Sequence, residues 1–454
     1  MVQKMETSGK LEQEQEVLLY ILILELKEDW KSGLAVLDGP LGIKLAKSAS
    51  YRNFCLAKRV EFHLASEDWE EVAKLSREEL DRLPDQWSAY TQFISAVKEL
   101  KDKEVTSTFT AGEAEEFILS QQTSHPAMRG PWLAQLELVS TLQSTALLPP
   151  LILTYFSKFS TKPVTFSDLA KYLAMLNTNQ QQELVTQLAS QYSDQPINNI
   201  GDICRDVNLV QLSRLCGNMT NLSTTKMEEE VTRLLAKYNS VQHIVTDMVS
   251  TDLRPPDNYL VLASHLLWDM WNTTKEEKYF MQCTALLYTG LSTSPSNWQM
   301  KLMLIKLLNV VGAGAVSYSL HSSLDIKHLM LDTLGWLLGR QLSFSGQLGL
   351  ASQHASQTVK LYNHVNKDTA DHIITAFRYE EEYYVIHKIL CVFRSGTFYQ
   401  IRDIYKLRNR LATSHHFLTM DTERQLLDLL LETSIHTQVH REVTQLGIQI
   451  LIRV

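Results

Sequence analysis

Apolar positions recur along most of this chain at spacings of three and four, the pattern of helices that bury one face. Val17 to Leu26 and Phe54 to Leu64 are the first two such stretches. Each is followed by the same three residues, Glu28-Asp29-Trp30 and Glu67-Asp68-Trp69, and then by a shorter amphipathic segment. Ala35 and Ala73 lie five and four residues after those tryptophans, where a small side chain lets paired helices approach closely. Pro84-Asp85-Gln86-Trp87 closes the second unit, and Tyr90 and Phe93 follow it. Proline cannot continue a helix interior, and an aromatic three residues later starts the next apolar face. Far downstream, the pattern predicts a helix over Tyr259 to Trp271, a turn at Asn272-Thr273-Thr274 and a second helix over Tyr279 to Leu291. Pro295-Ser296-Asn297-Trp298 then repeats the Pro-x-x-Trp junction.

Helix, short turn, helix, proline, aromatic is a repeat grammar, and it predicts an all-α fold. The expected architecture is a tetratricopeptide-like helical-repeat solenoid, a right-handed superhelix of antiparallel helix pairs. An irregular helical bundle, in which the tryptophans are core residues only, is the plainer alternative. The pattern places a first array at residues 1–100 and a polar linker at 101–125, since Lys98 to Glu116 is charged and contains Thr106-Ser107-Thr108 and Ala111-Gly112. A middle helical region follows at 126–254. In it Arg129-Gly130-Pro131-Trp132 opens a helix, Pro149-Pro150 breaks it, and Ser167 or Asp168 caps a later one. Pro255-Pro256-Asp257 marks the start of a second array at 255–434, with Asp257 as N-cap, and 435–454 forms a helical or disordered tail.

Composition agrees with helix. The 454 residues include only 17 Gly and 11 Pro, about half the usual share. A hydrophobic content of 44% with 21% charged residues supports a large core. The net charge of -8 argues against wholesale binding of DNA or of an anionic membrane. Cysteines at 55, 204, 216, 283 and 391 show no Cys-x-x-Cys spacing, which is the usage of a reducing, cytoplasmic compartment. Val17 to Leu26 is too short to span a bilayer, and so is Leu302 to Val311, which Lys306 interrupts.

Candidate chemistry is sparse. Gly312-Ala313-Gly314 has the look of a phosphate-binding turn, but Ser317 stands at the third glycine position and the preceding segment is leucine-rich instead of β-branched. A turn between paired helices explains it better. Glu432, His436 and His440 share a helical side at metal-ligating spacing, without the glutamate beside the first histidine that a zinc protease requires. Arg402, Lys406 and Arg410 line one face opposite Ile401, Ile404 and Leu411, a candidate contact for RNA phosphate or an acidic partner, or an ordinary solvated face. Trp30, Trp69, Trp87, Tyr90 and Trp298 are either packing wedges or aromatic grips for a partner. No catalytic, cofactor-binding or metal residues are assigned.

Several motifs in one order carry a resemblance. They are Pro84-Asp85-Gln86-Trp87, His125-Pro126, Arg129-Gly130-Pro131-x-Leu133-Ala134-x-Leu136-Glu137 and Tyr155-Phe156-x-Lys158-Phe159-x-x-Lys162-Pro163-x-x-Phe166-x-Asp168-Leu169. Ser294-Pro295-Ser296-Asn297, Ser322-Ser323-Leu324-Asp325-x-Lys327-His328, Lys367-Asp368-Thr369, Arg408-Asn409-Arg410-Leu411 and Thr422-Glu423-Arg424-x-Leu426-Leu427 follow in the same order. Over roughly residues 11 to 434 the chain resembles the auxiliary, non-catalytic subunit of the NatB N-terminal acetyltransferase complex. The resemblance implies a repeat scaffold that wraps a GNAT-fold catalytic subunit and helps place it at the ribosome. That partner acetylates proteins beginning with Met followed by Asp, Glu, Asn or Gln, using acetyl-CoA. The Arg-x-x-Gly-x-Gly/Ala pyrophosphate loop of the transferase fold is not found in this sequence, so the chain itself is expected to be no enzyme and to hold no cofactor. Against the family, the chain looks shortened at both ends, 380–395 looks like an insertion, and 435–454 has no counterpart. A general helical-repeat adaptor with another client, such as a NatA-type auxiliary subunit, is the alternative reading, and an all-α enzyme lacks its acid, base or metal cluster.

Overall fold

The computed structural model describes residues 13–361 apart from 143–144, 218, 220–221, 250, 328 and 340, together with Leu11 and Lys406. All regular elements among the described residues are helices. The chain divides into two compact units, residues 1–196 with 204–216, and residues 197–203 with 217–454. The division falls near residue 200, ahead of the expected proline boundary at 255.

In the first unit, α1 (Glu14–Leu26), α2 (Trp30–Asp38), α3 (Pro40–Lys47) and α4 (Ala49–Ala65) enclose one apolar cluster around Tyr20, Ile21, Leu37 and Phe62. Then α5 (Trp69–Arg82), α6 (Trp87–Asp102), α7 (Ala111–Ser124) and α8 (Arg129–Leu142) enclose a second around Val72, Tyr90, Phe93 and Ile118. A third is built on α8, α9 (Leu148–Phe159), α10 (Thr165–Leu173), α11 (Thr178–Tyr192) and α12 (Ile200–Leu215). Neighbouring clusters share a helix. Phe62 of α4 serves the first and Val60 the second; Leu138 of α8 serves the second and Val139 the third. Each helix pair thus completes its burial only on the next pair, which is the physical basis of a repeat stack.

Two local devices recur. The repeated Glu-Asp-Trp is a helix-to-helix turn in which Glu28 and Glu67 take left-handed backbone, φ 56° and 57°. The amides of Asp29 and Asp68 reach back to the carbonyls of Leu24 and His63 at 3.0 and 2.9 Å. Their carboxylates then cap the following helix by accepting from the amides of Ser32 and Glu71. Glu104 repeats the turn at φ 52°, and Gly312 does so at φ 73° with the Ala313 amide on the Leu308 carbonyl at 2.9 Å. Gly312-Ala313-Gly314 is therefore a turn between paired helices. The second device is the X-Pro junction. Leu83, His125 and Ser294 take nearly one conformation, φ −130°, −130° and −128° with ψ 80°, 59° and 72°, because the following proline bars them from helical geometry.

Some expectations are corrected. Residues 111–124 form α7 in place of a linker: Thr110 caps it, and Ala114, Phe117 and Ile118 fall on one face and are buried. Of that expected linker, 103–110 and His125 remain irregular. α10 begins at Thr165, ahead of Ser167 and Asp168. The small residue that admits close packing in the first unit is Gly33, where a β-carbon would lie 2.4 Å from the Phe62 ring, whereas Ala35 faces outward.

The second unit contains α13 (Thr224–Ser240), α14 (Asp257–Thr274), α15 (Glu277–Thr293), α16 (Trp298–Val310) and α17 (Gly314–Ser322), followed by short helices α18 (Leu329–Leu334), α19 (Trp336–Gly339) and α20 (Gln341–Phe344) and a helical stretch at 348–361. Asp257 is the first residue of α14 and not its cap; its buried carboxylate accepts from the Asn297 side-chain amide at 3.0 Å. Asn297 in turn caps α16 by accepting from the Met300 amide at 3.1 Å, so one side chain ties the starts of α14 and α16 together. Near the end of this unit His321 and His354 are buried with rings 5.5 Å apart and edge-on, beside a cavity of about 500 Å³ that Tyr318, Asp325, Lys327 and Lys360 also line.

Two measurements test this packing. At Gly130 a β-carbon would stand 2.8 Å from the Asp85 carboxylate, 3.0 Å from its Cα and 3.2 Å from the Tyr90 ring. Gly130→Ala should therefore lower unfolding free energy in urea by about 1–3 kcal/mol, while Gly112→Ala, whose nearest neighbour is 4.0 Å away, should be neutral or stabilising. His321 has its pKa pushed down from 6.5 to about 4, by burial first and by His354 second, against a backbone hydrogen bond at Leu334 that raises it. Below pH 6.5 the unfolded chain takes up a proton that the folded chain refuses, so this stability is complete above 6.5 and declines as pH falls toward 4. His321→Gln should flatten the pH dependence of the urea midpoint over that window, by up to about 3 kcal/mol.

Candidate partner-binding surface

The structure separates the sequence-derived candidates into two kinds. Trp30, at the first position of α2, is half-buried with its ring 5.6 Å from that of Phe62. Trp69 and Trp87 start α5 and α6 and pack against the second cluster. Tyr90 is fully buried, its hydroxyl donates to the Pro84 carbonyl at 3.0 Å, and burial raises its pKa well above the ordinary tyrosine value. These four are wedges between successive helices. Lys103 covers Trp69 from outside, its ammonium 5.5 Å from the ring centroid and 2.6 Å from the Glu67 carboxylate, a hydrogen bond that lowers the Glu67 pKa.

The resemblance motifs prove architectural. Asp85 accepts from the Gly130 amide, so the Pro84 corner, Tyr90 and the Gly130-Pro131 helix start form one locked junction. Arg129 and the Tyr155 hydroxyl both donate to the Asp168 carboxylate, the latter at 2.7 Å. One helical turn along, Lys171 at 2.6 Å and the Tyr172 hydroxyl at 2.8 Å both donate to Glu137. Burial, then these carboxylates, raise both phenol pKa values, so neither tyrosine is a proton source near neutral pH. Lys158 lies 4.2 Å over the Trp132 ring. Asn208, 1% exposed, clamps the Lys162-Pro163 turn by donating to the carbonyls of Ser160 and Lys162 and accepting from the Phe166 amide. Sequence reasoning missed Asn208, since a lone asparagine inside a helix gives no local signal.

Trp298 is different. Its half-exposed ring lines an open groove of about 310 Å³ together with Val261, His265 and Trp268 from α14 and Gln299, Leu302, Met303 and Lys306 from α16. The wall residues fall at helical spacing, 261, 265 and 268 on one helix and 298, 302 and 306 on the other, so each wall is one helix face. Trp268 is braced from behind by Trp271 at 4.9 Å, and Trp271 by Phe280 at 5.3 Å. Gly290 of α15 keeps the walls close: a β-carbon there would meet Met300 at 2.7 Å and Leu260 at 3.0 Å.

Among the described residues no group of three or more His, Cys, Asp or Glu side chains could hold a metal ion. Cys55, Cys204, Cys216 and Cys283 are buried, and burial raises their thiol pKa values, to about 11 for Cys216 and about 12 for Cys283, so they are poor nucleophiles. No described helix is long and apolar enough to cross a membrane. Lys406 is helical and half-buried; Arg402, Arg410, Glu432, His436 and His440 lie outside the described residues.

Comparison with known proteins gives the arrangement a family. Residues 87–450 match the family model of the N-acetyltransferase B complex (NatB) non catalytic subunit, which corrects the expectation that the tail from 435 has no counterpart, since the match runs through 450; residues 1–80 match the Psidin N-terminal TPR repeats region. The rat N-alpha-acetyltransferase 25, NatB auxiliary subunit, is 32% identical over 484 residues, covering 99% of this chain and 48% of the rat protein. The Phagocyte signaling-impaired protein of Drosophila pseudoobscura pseudoobscura is 25% identical over 464 residues, 98% of this chain and 46% of that protein. The chain thus spans about half the length of these relatives. A chain in the structure of Naa15/Naa10 bound to HypK-THB shares the fold, with a TM-score of 0.60 at 13% identity, covering all of this chain and 69% of that one. The pinned proline corners, the shared helical clusters and the family match across residues 87–450 agree, and the chain belongs to the family of the NatB non-catalytic subunit.

Proposed function

We propose that this chain acts as a non-catalytic scaffold of a NatB complex, holding a GNAT-fold catalytic subunit that acetylates Met-Asp, Met-Glu, Met-Asn and Met-Gln N-termini co-translationally. The observation that carries this reading is the family match over residues 87–450, laid on helices that pack pair upon pair. The physics of the stack supports it. Within each unit, neighbour-only packing lets successive helix faces form an extended surface able to dock a partner. The junctions at Asp85 and Asp168 in the first unit and at Asn297 in the second are hydrogen-bonded, so each unit's surface is ordered before a partner arrives and less ordering entropy opposes association. In this reading the chain is cytoplasmic and reaches the ribosome as part of the complex, with Arg402, Lys406 and Arg410 as the candidate contact for ribosomal RNA. Trp30, Trp69, Trp87 and Tyr90 support the surface from within, and Trp298 is the candidate that meets a partner.

Co-expression with a NatB-type GNAT subunit tests this. The expected outcome is one co-eluting complex whose kcat/KM on a Met-Asp peptide exceeds that of the catalytic subunit alone by about tenfold or more. The isolated chain should show no acetyl transfer from acetyl-CoA. Turnover by the isolated chain, or separate elution of two folded proteins, overturns the proposal.

A further inference from the structure

We propose that the groove between α14 and α16 docks a segment of a partner protein that carries a carboxylate beside a large apolar side chain, the apolar group entering between the Trp268 and Trp298 walls and the carboxylate meeting Lys306. Five of the eight lining residues, Val261, Trp268, Trp298, Leu302 and Met303, are apolar or aromatic, and none of them is fully buried within the chain. Tryptophan in a preformed cleft is the residue type that most often carries interface energy. The bracing of Trp268 by Trp271, and of the two helix starts by Asn297, fixes the walls, so a ligand does not have to order them.

Charge selects the occupant. No carboxylate lines the groove. Helix α16 contains two lysines and no acidic residue. Lys301 is consumed within the fold, its ammonium donating to the Ser323 carbonyl at 3.0 Å. Lys306 makes no ion pair among the described residues. Its pKa is lowered by burial of its surroundings, with no neighbouring acid to restore it. Lys306 is exposed at the edge of the groove without a counter-charge, and a carboxylate brought in with an apolar neighbour pairs with it while the apolar group covers the aromatic walls. A purely apolar segment would bury Lys306 further unpaired, and a basic one would meet like charge. Both are thereby rejected, which makes the site selective as well as sticky.

This inference does not rest on the acetyltransferase reading, and its test uses the chain with no transferase present. Random short peptides displayed on phage are selected against the full chain, against Lys306→Glu and against Trp298→Ala, with helix content by circular dichroism confirming that each variant is folded. The expected result is enrichment on the parent chain of sequences with Asp or Glu within a helical turn of Leu, Ile, Met, Phe or Trp. Synthetic copies should bind Lys306→Glu and Trp298→Ala at least about tenfold more weakly, and Lys306→Arg nearly as well as the parent. Lys360→Glu, outside the groove, should leave binding unchanged. Absence of enrichment, enriched sequences without an acidic residue, binding indifferent to Lys306→Glu, or concentration-dependent self-association that Lys306→Glu abolishes would each overturn it, the last by assigning the groove to a second copy of the chain.

Discussion

The stack depends on what proline does to the residue before it. At Leu83, His125 and Ser294 the following ring excludes helical geometry, and the three residues settle within about 25° of one another in both dihedrals. That shared conformation ends one helix and turns the chain toward the next. Repeat architecture needs such a constant step, because a helix pair that buries only one face must present the other at a reproducible angle to its neighbour. Propensity alone would not supply it; leucine-rich helices without a fixed corner pack in many ways.

The corners are then held by carboxylates, exposed at Asp85, half-buried at Asp168 and buried at Asp257, with side-chain or backbone donors. Asp85 takes the Gly130 amide, Asp168 takes Arg129 and Tyr155, and Asp257 takes Asn297. A carboxylate at a helix junction is costly to desolvate: burial raises the pKa of Asp257 and the Asn297 amide only partly opposes it, whereas Asp168 has two donors, Arg129 and Tyr155. The same logic explains Lys58, nearly inaccessible yet bonded to both Glu25 and Glu61 at 2.7–2.9 Å. These polar anchors specify one register where leucines would accept several. They also account for the motifs Pro84-Asp85, Arg129-Gly130-Pro131 and Tyr155…Asp168 that carried the family resemblance: they are the geometry of the joints.

How much of this could be read from sequence follows from whether the signal was local. The Glu-Asp-Trp turns and the Pro-x-x-Trp junctions were legible because turn, cap and wedge lie within six residues of one another, and their structural copies agree closely. His125-Pro126 is a third copy of the junction that the aromatic criterion hid, since Arg129 stands where tryptophan stands elsewhere. Helix α7 was misread as a linker because the polar tract before it and Ala111-Gly112 outweighed a short apolar face, Ala114, Phe117 and Ile118, whose partners come from α6 and α8. The role of Asn208 and the difference between Trp298 and the other tryptophans depend on pairings dozens of residues apart, which no local pattern encodes.

Trp30, Trp69, Trp87 and Trp298 all stand at the first position of a helix after a turn or corner, so sequence treats them alike. What separates them is whether the next helix closes over the ring. For Trp30 the closing group is Phe62, and for Trp69 and Trp87 it is the second apolar cluster. For Trp298 the facing helix is α14, whose Val261, His265 and Trp268 stand back far enough to leave a groove. Lys306, two turns along the same face from Trp298, stays exposed at that groove, where closing it with the chain's own leucines would bury an ammonium without an acid. A repeat stack builds an open site by the same rules that build its core, at the place where the facing helix does not close over the ring.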